Sequence, residues 1–268
     1  MKLAVSNIAW DAAEEEAVLA LLERLGVQGV EIAPTKLWPE LRGATPTAAA
    51  EYRARLAARG FQIPALQAIL FGRPELLLFG PPDVQQALVR HVASVAELAH
   101  ALGAGTLVFG SPKNRDCGDL SWEQASRIAA EVFAHAGDAC LAHSVRVCLE
   151  PNPKAYACNF MTHWYEVEEL VQRIAHPGVA VHLDAACIAV EGDDPVEAVR
   201  ACAARTAHFH VTEPSLQDFS APTLDHQAIG RALRESGYAG WLSIEMRRSA
   251  EPLQSIEQAV TYVLKHYS

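Results

Sequence analysis

The chain has 268 residues, 50% of them hydrophobic and 20% charged, with a formal net charge of -10; this balance supplies a sizeable core and predicts a soluble globular protein. The acidic sum argues against a nucleic-acid surface, because phosphate binding draws mainly on Lys and Arg. Cys117, Cys140, Cys148, Cys158, Cys187 and Cys202 fall at irregular spacing and no apolar run reaches membrane-spanning length, so the sequence predicts no disulfide framework, no membrane segment and a cytoplasmic location.

Strand-like and helix-like segments alternate along the chain. Leu3–Trp10 reads as a strand, and Ala13–Leu25 as a helix with Val18, Leu21, Leu22 and Leu25 on one face. Val27–Ala33 is the second strand. Thr45 and Pro46 cap and open a helix that stops at Gly60, and Ile63–Ile69 is the third strand. The Gly- and Pro-rich apolar segment Leu70–Pro82 is expected to be a lid, with a short helix on the rim as the alternative. An amphipathic helix over Val84–Leu102 then leads to a strand at Thr106–Gly110. Ser121 caps a helix running to about Ala142, and the remaining strands are Val145–Glu150, Val179–Asp184, Thr206–Glu213 and Gly240–Glu245. Helices at Trp164–Ala175 and Pro195–Ala204, one capped by Asp225 and running to Glu235, and one at Pro252–His266 intervene or follow.

Eight βα units in about 250 residues match an α/β fold of the (β/α)8 TIM-barrel type, in which function gathers at the carboxyl ends of the strands. The open doubly wound alternative favours a glycine-rich first turn, and none follows the first strand. The reading is of one domain over residues 1–268.

Four strand-like runs end on a polar group: Glu150, Asp184, His210 and Glu245. In a barrel these converge, and three carboxylates with one imidazole suit a single divalent ion, Mn2+ or Mg2+ first, with Co2+ or Zn2+ admitted by the histidine. His182 and His208 lie one inward position below Asp184 and His210 and are expected to be buried and hydrogen-bonded, with direct substrate contact as the alternative. Lys36, Lys113, Arg115 and Lys154 lie just beyond strands, on a solvated rim where any one is a candidate anion contact. Arg247 and Arg248, just past Glu245, are the stronger anion candidates.

The segments Gly29–Ala33, Leu149–Asn152, His182–Asp184, His208–Glu213 and Ser243–Met246 together resemble the xylose-isomerase-like barrel superfamily, in particular its sugar phosphate isomerase/epimerase group, over nearly the whole chain. That group also includes ketose 3-epimerases, hydroxypyruvate isomerase and inosose dehydratase. The resemblance implies that Glu150, Asp184, His210 and Glu245 ligate the metal, that Glu150 and Glu245 also act as the bases moving protons at substrate carbon, and that Glu31 supports the substrate site from behind. The activity expected is a metal-dependent isomerase or epimerase working by proton transfer on a small carbohydrate-like substrate, with Lys113, Arg247 and His182 as further substrate contacts. The alternatives are an inosose-type dehydratase or lyase, or a metal-binding subunit of a two-component lyase. No nucleic-acid or membrane partner is expected, and a homo-oligomer is compatible with this reading.

Two positions depart from the ketose epimerases. Cys187 stands where they carry a histidine, and the loop Pro214–Phe219 lacks their arginine. The nuclease branch of the superfamily needs further histidines where this chain has Gln67, the Phe109–Gly110 turn and Cys187, so a three-metal nuclease site is not expected.

Overall fold

Short runs of branched apolar residues form the strands, and capped amphipathic helices return the chain between them. The computed structural model describes residues 1–268. The strands are β1 Lys2–Ser6, β2 Gly29–Glu31, β3 Ala65–Leu66, β4 Thr106–Phe109, β5 Arg146–Leu149, β6 Val179–Asp184, β7 Thr206–Val211 and β8 Trp241–Ile244. They form one parallel sheet in the order β2-β1-β8-β7-β6-β5-β4-β3, and the bridges Gly29↔Gln62 and Ile32↔Leu66 bring its two ends together. The result is a nearly closed TIM barrel.

Ten α-helices accompany the strands: α1 Glu15–Arg24, α2 Pro34–Leu37, α3 Pro46–Ala58, α4 Pro82–Leu102, α5 Trp122–Leu141, α6 Trp164–Ile174, α7 Ala185–Glu191, α8 Pro195–Cys202, α9 His226–Glu235 and α10 Pro252–Tyr267. Local chemistry sets several boundaries. The hydroxyl of Thr45 accepts from the Ala48 amide at 3.1 Å, and the Asp225 carboxylate accepts from the Ala228 amide at 2.9 Å. Ser121 and Gln124 close a reciprocal cap on α5. No helix is long and apolar enough to cross a membrane.

The alternation is as the sequence reads, with specific differences. β1 stops at Ser6 because Asn7–Ala9 turns into a 3-10 helix, and the Asn7 side chain accepts from the Ala33 amide at 2.8 Å. β3 shrinks to Ala65–Leu66, since Pro64 has no amide to give the ladder and Ala68 adopts a left-handed φ of 52°. The short helices α2 and α7 had no counterpart in the sequence reading. Between Leu70 and Gly80 there are only turns, so the rim-helix alternative does not hold. Leu70, Leu76 and Leu78 are buried there, Phe79 packs edge-on against Phe160 at 5.0 Å, and Asn114 donates to the carbonyls of Arg73 and Leu76. Phe71 remains 70% exposed.

Candidate active site

Glu150, Asp184, His210 and Glu245 come from four adjacent strands, β5 to β8, and line one cavity of about 340 Å³. Gln67, Ala68, Val108, Gly110, Ser111, Pro112, Asn152, Tyr156, Cys187 and Leu216 complete its walls. No residue of β1 or β2 reaches it.

A register shift aligns the polar set. Val181 pairs with Thr206, but His182 pairs with His208, leaving Ala207 as an extra residue in β7. His182 therefore lies beside His208 and Asp184 beside His210, both pairs facing inward.

Glu31 orients His210 from below. It is fully buried and accepts from His210 Nε2 at 3.0 and 3.1 Å, from His208 Nε2 at 3.0 Å and from Ser243 Oγ at 2.7 Å. This holds the imidazole with Nδ1 turned to three carboxylates: Glu245 Oε2 at 3.1 Å, Glu150 Oε1 at 3.8 Å and Asp184 Oδ2 at 3.8 Å. Nδ1 is buried and makes no hydrogen bond.

Two of the three carboxylates, Asp184 and Glu150, are also fixed. Asp184 Oδ1 caps α7 by accepting from the Cys187 amide at 2.7 Å, and it accepts from Thr212 Oγ1 at 2.7 Å, which leaves Oδ2 toward His210. Glu150 Oε2 accepts from Asn152 Nδ2 at 3.0 Å, and Oε1 lies 3.3 Å from His182 Nε2. Gly110 makes room for this carboxylate, since a Cβ there would fall 1.8 Å from Glu150 Oε2.

The electrostatics register crowded negative charge. Burial, then the charges of Glu150 and Glu245, push the Asp184 carboxyl up to about 7. Burial disfavours a charged His210, yet Glu31 and Glu245 outweigh it and raise the imidazole well above its usual range. Burial also opposes ionisation of Glu150, but the contact with His182 and the charge of His210 hold that carboxyl at about 2. Burial brings His182 down to about 4. An orphaned imidazole nitrogen facing three carboxylate oxygens is a donor set that fits a divalent cation, and a cation relieves the repulsion behind the Asp184 shift. Cys187 groups with Glu150 and Asp184, but burial and the nearby carboxylates push its thiol well above its usual range.

The other residues singled out by sequence are dispersed. His182 is fully buried between the rings of His208 and His210 and does not line the cavity. Glu31 is sealed beneath His210. Lys113 and Arg247 are exposed and lie outside the cavity lining. Arg248 pairs with Glu14 and Asp11 instead. Arg115, expected on the solvated rim, is fully buried and donates to the Glu150 carbonyl at 2.6 Å and to Cys158 Sγ at 3.3 Å. His226, at the start of α9, is buried between Glu213 Oε1 at 2.8 Å and Tyr267 OH at 2.6 Å. Sequence reasoning missed the wall residues Ser111, Asn152, Tyr156 and Leu216. Asn152 carried a signal, since it lies within the Leu149–Asn152 motif; the others follow strands at no fixed spacing.

The family model described as the xylose isomerase-like TIM barrel matches residues 19–266. A D-psicose 3-epimerase from Clostridium cellulolyticum H10, solved with D-tagatose, aligns over 100% of both chains with a TM-score of 0.82 and 16% identity. The 3-keto-D-glucoside 4-epimerase YcjR from E. coli, in its apo form, aligns over 99% of both chains with a TM-score of 0.78 and 16% identity. The IOLI protein with a bound zinc atom aligns over 100% of both chains with a TM-score of 0.77 and 18% identity. No curated protein matches the chain. At such identities the structural likeness speaks for the fold, while the family match extends over most of the sequence: the chain belongs to the xylose isomerase-like TIM barrel family.

Proposed function

We propose that the protein is a divalent-metal-dependent isomerase or epimerase that moves a proton next to the carbonyl of a small polyhydroxy ketone or aldehyde. The observation carrying this reading is the buried, unbonded Nδ1 of His210 facing Glu150, Asp184 and Glu245 within 3.1–3.8 Å. The sugar epimerases among the structural neighbours support it, and the zinc atom in one neighbour supports a metal.

Glu150, Asp184, His210 and Glu245 would hold the ion, Mn2+ or Mg2+ by the oxygen-rich donor set and Co2+ or Zn2+ through the imidazole. When bound, it supplies a Lewis acid beside the substrate carbonyl. Glu31 keeps the His210 ring in register through Nε2, the role an outer carboxylate plays behind a ligating imidazole. Glu150, held ionised at neutral pH, takes a proton from the carbon next to the carbonyl, and Asn152 steadies its other oxygen. Glu245, on the strand at the other end of the set, delivers a proton drawn from water, and Glu150 releases to water the one it took. Return to the opposite face of the same carbon inverts it; return to the neighbouring carbon isomerises the sugar. The walls of the cavity limit water around the charge that develops.

The test has two parts. The purified chain should bind one equivalent of Mn2+, and His210→Ala should weaken that binding at least about 10-fold. The metal-loaded chain should then interconvert members of a ketose and aldose panel. Equal metal affinity in wild type and His210→Ala, or no conversion across the panel by the loaded chain, would overturn the reading.

A further inference from the structure

The cavity changes character from floor to mouth. Its floor is the carboxylate and imidazole set; Gln67, Asn152 and Ser111 follow just above the strand ends. Pro112, Tyr156 and Leu216, farther along their loops, form the outer wall. No Lys or Arg lines it.

Most cations of the surrounding loops are engaged elsewhere; Lys113, next to Pro112, is exposed and lies outside the cavity lining. Lys36 pairs with Asp11 at 2.9 Å, Lys154 with Glu191 at 2.7 Å and Arg73 with Glu75 at 2.6 Å. Arg115 is sealed in the interior against the Glu150 carbonyl. Arg247 turns its guanidinium to the Ser215 carbonyl, while its own amide donates to the Leu216 carbonyl at 2.9 Å. The Ser215 amide in turn donates to Tyr156 OH at 2.8 Å. Ser215 and Leu216 both hold left-handed backbone, with φ of 59° and 54°. Two successive non-glycine residues stay there only where their surroundings over-determine them. Arg247 and Tyr156 supply that restraint, and its product is Leu216 in the cavity wall.

We infer, resting on the reading of the site as one for a polyhydroxy carbonyl compound, that the substrate carries no phosphate or carboxylate. Its end remote from the carbonyl is a neutral terminus, a hydroxymethyl or methyl group, packed against Leu216 and Tyr156. Arg247 is a positioning residue that builds this wall, not an anion contact. An anionic terminus against Leu216 and Tyr156 finds no Lys or Arg in the lining and faces a carboxylate-rich floor, so it is disfavoured by both desolvation and repulsion.

Calorimetric titration of the Mn2+-loaded chain with matched triplets tests this. Each of D-fructose, D-psicose and D-tagatose is compared with its 6-deoxy analogue and its 6-phosphate, and solvent-deuterium exchange is followed in parallel. The parent and 6-deoxy sugars should bind within about fivefold of each other, and the 6-phosphates at least about 100-fold more weakly. Leu216→Ala, which leaves Arg247 in place, should weaken the 6-deoxy sugar more than the parent. Arg247→Ala should weaken both neutral sugars and leave the 6-phosphate no better or worse off relative to them. A 6-phosphate that binds as well as its parent, or that alone loses affinity in Arg247→Ala or Lys113→Ala, overturns the inference. Binding in the expected order without any exchange leaves the inference standing and overturns the proton-transfer reading. No binding by any triplet overturns both.

Discussion

Asp184 and His210 are cross-strand partners, and they are so because Ala207 is an additional residue in β7. Had the pairing of Val181 with Thr206 run on unbroken, the inward Asp184 would lie beside the outward Phe209, since a shift of one residue exchanges the faces of a strand. The bulge thus does for the metal-ligand candidates what a loop rearrangement does elsewhere: it re-aims a side chain at the sheet's functional end.

His210 also depends on Glu31. Glu31→Gln keeps the size of the side chain but cannot accept from two imidazoles and a serine hydroxyl together. Its expected effect is a loss of about 10–100-fold in Mn2+ affinity, with the fold retained. Metal titration followed by calorimetry, alongside circular dichroism, checks both halves.

Gly110 is needed for its missing side chain. A methyl group there would fall 1.8 Å from Glu150 Oε2, so Gly110→Ala must push the carboxylate aside. Displacement of a reacting group by about 1 Å costs on the order of 100-fold in turnover. The expected result is that loss, with a weaker metal site and a modest fall in stability. Steady-state kinetics and a denaturant titration measure it.

The pH response of the metal-free chain follows from Asp184. Its folded value of about 7 lies above the ordinary 3.8, so the folded state keeps a proton that the unfolded state releases. Stability from this group is full below the lower value and is lost as pH rises through the upper one. Wild type should therefore lose stability relative to Asp184→Asn between about pH 4 and about pH 7. Saturating Mn2+ should remove the difference, because the ion takes over the charge that the proton neutralised. Urea unfolding of both chains across that range, with and without metal, checks the sign.

The barrel was legible because its periodicities are local. Alternation of apolar runs with capped helices needs no knowledge of packing, and the caps at Thr45, Ser121 and Asp225 stand where the sequence puts them. Glu150, Asp184, His210 and Glu245 were legible as strand ends, and the cavity gathers all four. What was not legible depended on distant neighbours. The bulge at Ala207 appears only when β7 meets β6. The burial of Arg115 depends on a loop some forty residues away, around Glu150 and Cys158. The engagement of Arg247 by Ser215 depends on the left-handed turn at Ser215–Leu216, which no glycine or asparagine announces.

The expected lid divides in two. Leu76, Leu78 and Phe79 are packed, whereas Phe71 projects into solvent. Closure over a ligand should then protect the amides of residues 71–73 and leave those of residues 76–79 little changed. Hydrogen exchange with and without a bound neutral ketose distinguishes this from movement of the whole segment and from none.

The proposed reaction passes a proton through a carboxylate. A proton resting on Glu150 or Glu245 exchanges with water in at least some turnovers before it returns to carbon. Conversion of a ketose by the Mn2+-loaded chain in heavy water should therefore place deuterium at the reacting carbon, as read by proton NMR and mass spectrometry. Glu150→Gln and Glu245→Gln should each abolish conversion. Product formed by wild type without any solvent deuterium would rule out the carboxylate route, since the hydrogen would then have passed directly between carbons.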